Sequence, residues 1–128
     1  MAFRSDVIVY DPYLSDKARK MWTDTLGEDR VTVASKLEDL LSQADIVSLH
    51  VPLTTGTRNL ISARELGRMK RSAILINSAR GGIVNEADLA TALEQGQIFG
   101  AGLDAFDSEP PSLEKHERFC KLDNVVLT

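Results

Sequence analysis

The chain has 128 residues, 15 basic and 19 acidic side chains, a net charge of -4, one cysteine, 43% hydrophobic and 5% aromatic residues. That length suits a single domain burying about two-thirds of its unfolded surface. One cysteine excludes an internal disulfide, no Cys/His cluster suggests zinc, and basic residues scattered along an acidic chain give no footprint for nucleic acid.

The apolar runs, Ala73 to Ile76 among them, are far shorter than the roughly 20 residues that cross a bilayer, and the N-terminus leads straight into a strand-like run. The chain is therefore expected to be soluble, without membrane contact or signal peptide, in the cytoplasm or another reducing compartment. The cluster Arg64, Arg68, Lys70 and Arg71 reads as a solvated helix end.

Val7-Ile8-Val9-Tyr10 reads as a buried strand stopped by Asp11-Pro12. Ser15 to Leu26 follows as a helix with Ala18, Met21, Trp22 and Leu26 on one face and Gly27 at its end. Val31 to Ala34 is a short strand. Ser35-Lys36-Leu37-Glu38 has the form of a capping box, opening a helix that buries Leu37, Leu40, Leu41 and Ala44. Ile46 to Val51 is a strand ended by Pro52, and Ser62-Ala63-Arg64-Glu65 repeats the box before a short helix with Leu66 and Met69. Ala73 to Ile76 is the most apolar strand. A helix runs from Asn85 through Leu89, Ala90 and Leu93 to Gly96, and Ile98 to Leu103 is a strand ending at Asp104. A Pro- and charge-rich loop then leads to Asn124 to Thr128, which begins a last strand, with His116 read as solvated in that loop.

Strands alternating with helices through short connections imply right-handed crossovers and a parallel sheet covered on both faces. The expected class is α/β, a doubly wound Rossmann-like sheet. Ligands of such sheets bind at the carboxyl ends of strands, where Asp11, Pro52, Arg80 and Asp104 fall. No GxGxxG turn occurs among the residues, and Asp11 sits too near the N-terminus to leave room for one before it.

The run Asn77-Ser78-Ala79-Arg80-Gly81-Gly82-Ile83-Val84-Asn85-Glu86 resembles the signature of the D-isomer-specific 2-hydroxyacid dehydrogenases. That family includes phosphoglycerate dehydrogenase, glyoxylate/hydroxypyruvate reductases and the C-terminal-binding co-repressors. Three further blocks stand in the family's order: Val9-Tyr10-Asp11-Pro12-Tyr13, then Ala44 to Leu53 with Thr57, then Gly100-Ala101-Gly102-Leu103-Asp104-Ala105-Phe106 with Glu109-Pro110. The resemblance places the family's glycine fingerprint before residue 1 and its catalytic histidine, after a proline, just beyond Thr128. Residues 1–128 are accordingly expected to be part of one NAD-binding domain, lacking its first βα unit and the catalytic domain. That first strand is expected between the strand ending at Asp11 and the one ending at Pro52, so that its absence leaves two unpaired edges.

The resemblance also implies roles. Arg80 matches the arginine that holds the substrate carboxylate by paired charge-assisted hydrogen bonds and donates toward the 2-oxygen. Glu109 matches the glutamate that orients the acid–base histidine. Asp11 resembles the acid that accepts from the adenosine ribose hydroxyls and repels a 2′-phosphate, which favours NAD over NADP. Asp104 corresponds to the aspartate near the nicotinamide carboxamide. His50, Val51, Pro52 and Thr57 match the loop flanking adenine and pyrophosphate, and Ser78 and Ala79 line the nicotinamide side. For Arg80 and Asp11, the residues alone also allow a solvated arginine in a Gly-rich turn and a turn-forming Asp-Pro. No metal site is expected.

The resemblance implies an NAD-dependent oxidoreductase interconverting small 2-hydroxy and 2-keto acids, homodimeric in its full-length form. The isolated chain is expected to show negligible activity and at most weak NAD binding. The alternatives are a non-catalytic dimerisation or co-repressor-like module, and an incomplete gene product.

Overall fold

The computed structural model describes residues 5–27 and 30–128. Residues 1–4, read as leading into the first strand, and the side chain of Leu26 lie outside the described residues. The chain forms two compact units, Met1–Ser42 and Gln43–Thr128.

In the first unit β1 (Val7–Val9) and β2 (Val31–Val33) pair in parallel, Val7 opposite Val31 and Val9 opposite Val33. Their β-branched side chains suit the extended backbone. The connection is α1 (Asp16–Leu26), capped by Ser15, whose Oγ accepts the Ala18 N–H at 3.2 Å. It stops at Gly27, whose φ of 93° continues no right-handed helix. Trp22 and Ala18, one turn apart, are half-buried, whereas Met21 is 59% exposed. Met21 was expected on the buried face, but residues 21 and 22 point about 100° apart on a helix, and a two-stranded sheet covers a narrow stripe. After β2 comes α2 (Leu37–Gln43), with Ser35 Oγ within 3.4 Å of Asp39 Oδ2.

The second unit is a four-stranded parallel sheet in the order β3 (Ile46–Leu49), β4 (Ile74–Asn77), β5 (Gly100–Leu103), β6 (Val125–Leu127). Three helices intervene: α3 (Ala63–Leu66), α4 (Glu86–Glu94) and α5 (Glu117–Cys120). The register aligns Leu49, Asn77, Leu103 and Leu127 in one row at the carboxyl ends. Because successive residues face opposite sides, Val47, Leu49, Leu75, Ala101 and Leu103 share one buried face. The core of the unit also includes Ile61, Leu66, Ile83, Leu89, Leu93, Ile98 and Phe119. On the other face the middle-strand residues Ile74 and Ile76 are half-buried, but Ile46 and Val126 on the edge strands are 61% and 64% exposed. The parallel α/β class is as expected, with that second face closed over the middle strands more than over the edges.

The short helix α5 and a single bridge between Ile61 and Val84 were not expected. Four residues, or one, carry no periodic signal. Two strands are shorter than the apolar runs suggest: β3 ends at Leu49, and β5 starts at Gly100, after the buried Ile98. Ser62 and Glu65 form the expected capping box, the Ser62 N–H donating to Glu65 Oε2 at 3.2 Å, and the Ser62 hydroxyl also lies against the Asn59 carbonyl. Asn85 caps α4 by accepting the Asp88 N–H at 3.0 Å.

Candidate functional site

Parallel pairing sends the chain out of β3, β4 and β5 along one edge of the second unit, and the residues expected to be functional there emerge side by side. The turn after β4 is built on Asn77, 2% exposed. Its Nδ2 donates to the Arg80 carbonyl at 2.9 Å, and its Oδ1 accepts the Ala79 N–H at 3.2 Å. Its own carbonyl accepts the Asp104 N–H at 3.0 Å, so one buried side chain and its backbone tie the Arg80 turn to the end of β5. The Arg80 side chain is exposed, with Nη1 donating to the Ala79 carbonyl at 2.7 Å. Asp104, the residue after β5, is also exposed, and its Oδ1 accepts from the Thr128 hydroxyl at 3.1 Å.

Gly81 and Gly82 let this turn lie against the loop after β5. A Cβ on Gly81 would stand 1.8 Å from the Phe106 carbonyl oxygen, and Gly82 adopts a φ of 78°. The loop continues through Asp107, paired with Arg58 at 3.4 Å, to the exposed Glu109, which joins Pro110 through a cis peptide bond. Asp107 donates its N–H to Glu86 Oε1 at 2.7 Å.

The loop after β3 is knitted by its threonines. Thr57 Oγ1 donates to the Pro52 carbonyl at 2.6 Å and accepts the Thr54 N–H at 2.8 Å. Asn59 N–H then reaches the Gly82 carbonyl at 2.8 Å, joining this loop to the Arg80 turn. His50 is exposed, its Nε2 2.9 Å from Ser48 Oγ, and Val51 is half-buried. Thus His50, Val51, Pro52, Thr57, Ser78, Ala79, Arg80 and Asp104 lie on three neighbouring loops tied by backbone hydrogen bonds.

Asp11 belongs to the first unit, exposed just beyond β1. Its Oδ1 accepts the Tyr13 N–H at 2.8 Å, so the carboxylate also shapes the turn at the strand end, the role the bare Asp-Pro sequence suggested.

Sequence reasoning gave no functional role to Asn77, the Arg58–Asp107 pair, Glu86 or His116. Asn77 read only as the polar stop of an apolar strand. His116 was expected to be solvated, but it is 3% exposed, with its ring edge on Phe106 at 4.9 Å between centroids. No spacing signals that contact, because it joins residues through a Pro-rich loop. No group of three metal-ligating side chains occurs among the described residues, and no described helix is long and apolar enough to cross a membrane.

An exposed guanidinium and an exposed carboxylate one strand apart can receive an anion on one side and a hydrogen-bond donor on the other. The donor set fits a nicotinamide dinucleotide: Asp104 offers a free acceptor position, and the rim on which it stands is where parallel α/β sheets take such ligands.

The family model described as "D-isomer specific 2-hydroxyacid dehydrogenase, NAD binding domain" matches residues 1–128. The chain is 38% identical over 128 residues to a hydroxypyruvate reductase of Thermotoga maritima, covering 100% of this chain and 38% of that protein. It is 39% identical over 127 residues to a D-3-phosphoglycerate dehydrogenase of Methanocaldococcus jannaschii, 99% of this chain and 22% of that one. Among solved structures, the NAD complexed form of a D-isomer specific 2-hydroxyacid dehydrogenase from Lactobacillus delbrueckii ssp. bulgaricus superposes with a TM-score of 0.77 at 34% identity, over 96% of this chain and 38% of that one. The chain thus spans well under half the length of the proteins it matches.

Proposed function

The chain belongs to the NAD-binding domains of the D-isomer specific 2-hydroxyacid dehydrogenases, and from that premise we propose that it serves an oxidoreductase moving a hydride between NAD and a small 2-hydroxy or 2-keto acid. The observation that carries this reading is the tie between the ends of β4 and β5, which sets Arg80 and Asp104 on one rim through the Asp104 N–H bond to the Asn77 carbonyl.

Bound NAD supplies the nicotinamide ring that gives or takes the hydride. Asp104 accepts from the carboxamide and so fixes the ring face presented. Ser78 and Ala79 line that side, and His50, Val51, Pro52 and Thr57 shape the wall toward adenine and pyrophosphate. Asp11 accepts from the ribose hydroxyls and disfavours a 2′-phosphate. Arg80 grips the substrate carboxylate through its planar fork and stabilises charge on the 2-oxygen as hydride arrives. Glu109 accepts from the family's acid–base histidine and holds its tautomer. The full-length protein is read as a cytoplasmic homodimer, on the single unpaired cysteine and the family's usual assembly. The 128 residues alone are read as binding NAD weakly and turning over no substrate.

A chimera tests this. The chain replaces the matching segment of the Thermotoga maritima hydroxypyruvate reductase, and oxidation of NADH is followed with 2-keto acids. Turnover is expected, and Arg80→Ala is expected to lower kcat/KM by about 10²–10³, the cost of one oxyanion donor. A folded chimera that binds NADH without turning over any 2-keto acid would favour the non-catalytic module.

A further inference from the structure

The buried ring of His116 has two neighbours with only lone pairs to offer. Nδ1 lies 3.0 Å from the Ser112 carbonyl oxygen, and Nε2 lies 3.3 Å from Glu86 Oε2. A carbonyl oxygen only accepts, so Nδ1 carries a proton and donates it to Ser112. Nε2 then faces a carboxylate, which also only accepts. The imidazolium offers Glu86 a second proton, whereas the neutral ring turns a lone pair toward a negative charge. Among the described residues the buried Nε2 has no hydrogen-bond partner, and the Glu86 carboxylate is the acidic group within reach of it.

These contacts fall on both sides of Glu109. Glu86 Oε1 accepts the N–H of Asp107, two residues before it, at 2.7 Å. His116 holds the carbonyl of Ser112, three residues after it. Phe106, against which the ring is stacked edge-on, is the residue whose carbonyl meets Gly81 in the Arg80 turn. The contacts of His116 and Glu86 therefore reach both ends of the loop that carries Glu109.

We propose that His116 and Glu86 are a positioning pair that fixes the Glu109 loop, and that the pair closes when His116 is protonated. The role of Glu109 itself rests on the function proposed above; the fastening of the loop does not. Glu86 of α4 is the charged group facing the ring. The charged groups on the flanking elements pair elsewhere: Arg118 with Glu94 at 2.7 Å, Glu117 with Lys121 at 2.7 Å, and Asp107 with Arg58 at 3.4 Å. Lys115 lines the same surface cavity as Glu86 and Arg118.

The test uses the 128-residue chain in solution. Long-range ¹H–¹⁵N spectra read the protons on the His116 ring, while hydrogen-exchange protection of Asp107 and ¹⁵N relaxation of Glu109 read the loop, all as functions of pH. A ring protonated at Nδ1 is expected throughout. Asp107 protection should drop at least tenfold, and Glu109 should gain mobility, as Nε2 loses its proton. In Glu86→Gln the amide nitrogen can donate to the neutral ring while its oxygen still accepts from Asp107, so protection should persist with no pH step. His116→Phe keeps the packing on Phe106 and should leave the loop loose at every pH. Each variant is checked by thermal melting, and one that fails to fold leaves the wild-type curve and the other variant to decide. A neutral ring protonated at Nε2, a wild-type loop indifferent to the His116 titration, or a pH step retained in Glu86→Gln would overturn the proposal. None of these readings involves NAD or turnover, so their failure would leave the proposed dehydrogenase role untouched, and the reverse holds too.

Discussion

Asn77 governs the site at the scale of single residues. Its amide satisfies the Ala79 N–H and the Arg80 carbonyl, and it does so from a position 2% exposed. Asn77→Ala leaves both backbone groups without those partners and should lower the unfolding free energy by about 1–3 kcal/mol in chemical denaturation. In the chimera it should also reduce kcat/KM without a matching loss of NADH affinity, because the turn carrying Arg80 loosens. Asp11 allows a separate test. If its carboxylate repels a 2′-phosphate, Asp11→Ser should narrow the preference for NADH over NADPH, measured as the ratio of their dissociation constants; an unchanged ratio would leave Asp11 as a turn residue only. The side chains proposed to bear the chemistry, Arg80, Asp104, Glu109 and Asp11, could be named from the sequence because each stands in a block resembling a family motif. Asn77 and His116 could not, because what they do depends on contacts that residue type and spacing do not encode.

Among elements, close approach and capping matter most. The Arg80 turn and the loop after β5 meet at Gly81, where a Cβ would overlap the Phe106 carbonyl. Gly81→Ala must push backbone from backbone and should cost about 1–3 kcal/mol, visible as a lowered midpoint in thermal melting. Further along, α4 is braced to α5 by Arg118, whose Nε and Nη2 donate to Glu94 at 2.9 Å and 2.7 Å. The hydrogen bond from Arg118 holds the Glu94 carboxyl below the usual carboxylate range. A depressed carboxylate contributes while ionised, so this brace is present near neutrality and is lost as pH falls through the lowered value. Arg118→Ala should return Glu94 to its ordinary titration, followed by ¹³C NMR; both groups are solvent-exposed, so the effect on stability is expected to be small. The strand and helix order was readable from apolar runs and caps, since β4 and α4 carry four and nine residues of consistent pattern. The bridge at Ile61 and the helix α5 lack that length.

For the molecule as a whole, the account depends on parallel topology delivering three loops to one edge of the second unit. The family match spans residues 1–128, and the described sheet supplies the mechanical reason that its sparse motifs work together: Leu49, Asn77 and Leu103 stand in one register row, so the residues after them leave from a common rim. That claim is tested most directly by ¹H–¹⁵N spectra of the chain during titration with NAD up to its solubility limit. The expected result is a set of shifting amides confined, within the second unit, to residues 50–57, 78–81 and 104, weakened by Asp104→Ala. Shifts centred instead on the amino-terminal edge of β3, β4 and β5, or the same pattern in the Asp104→Ala protein, would contradict it.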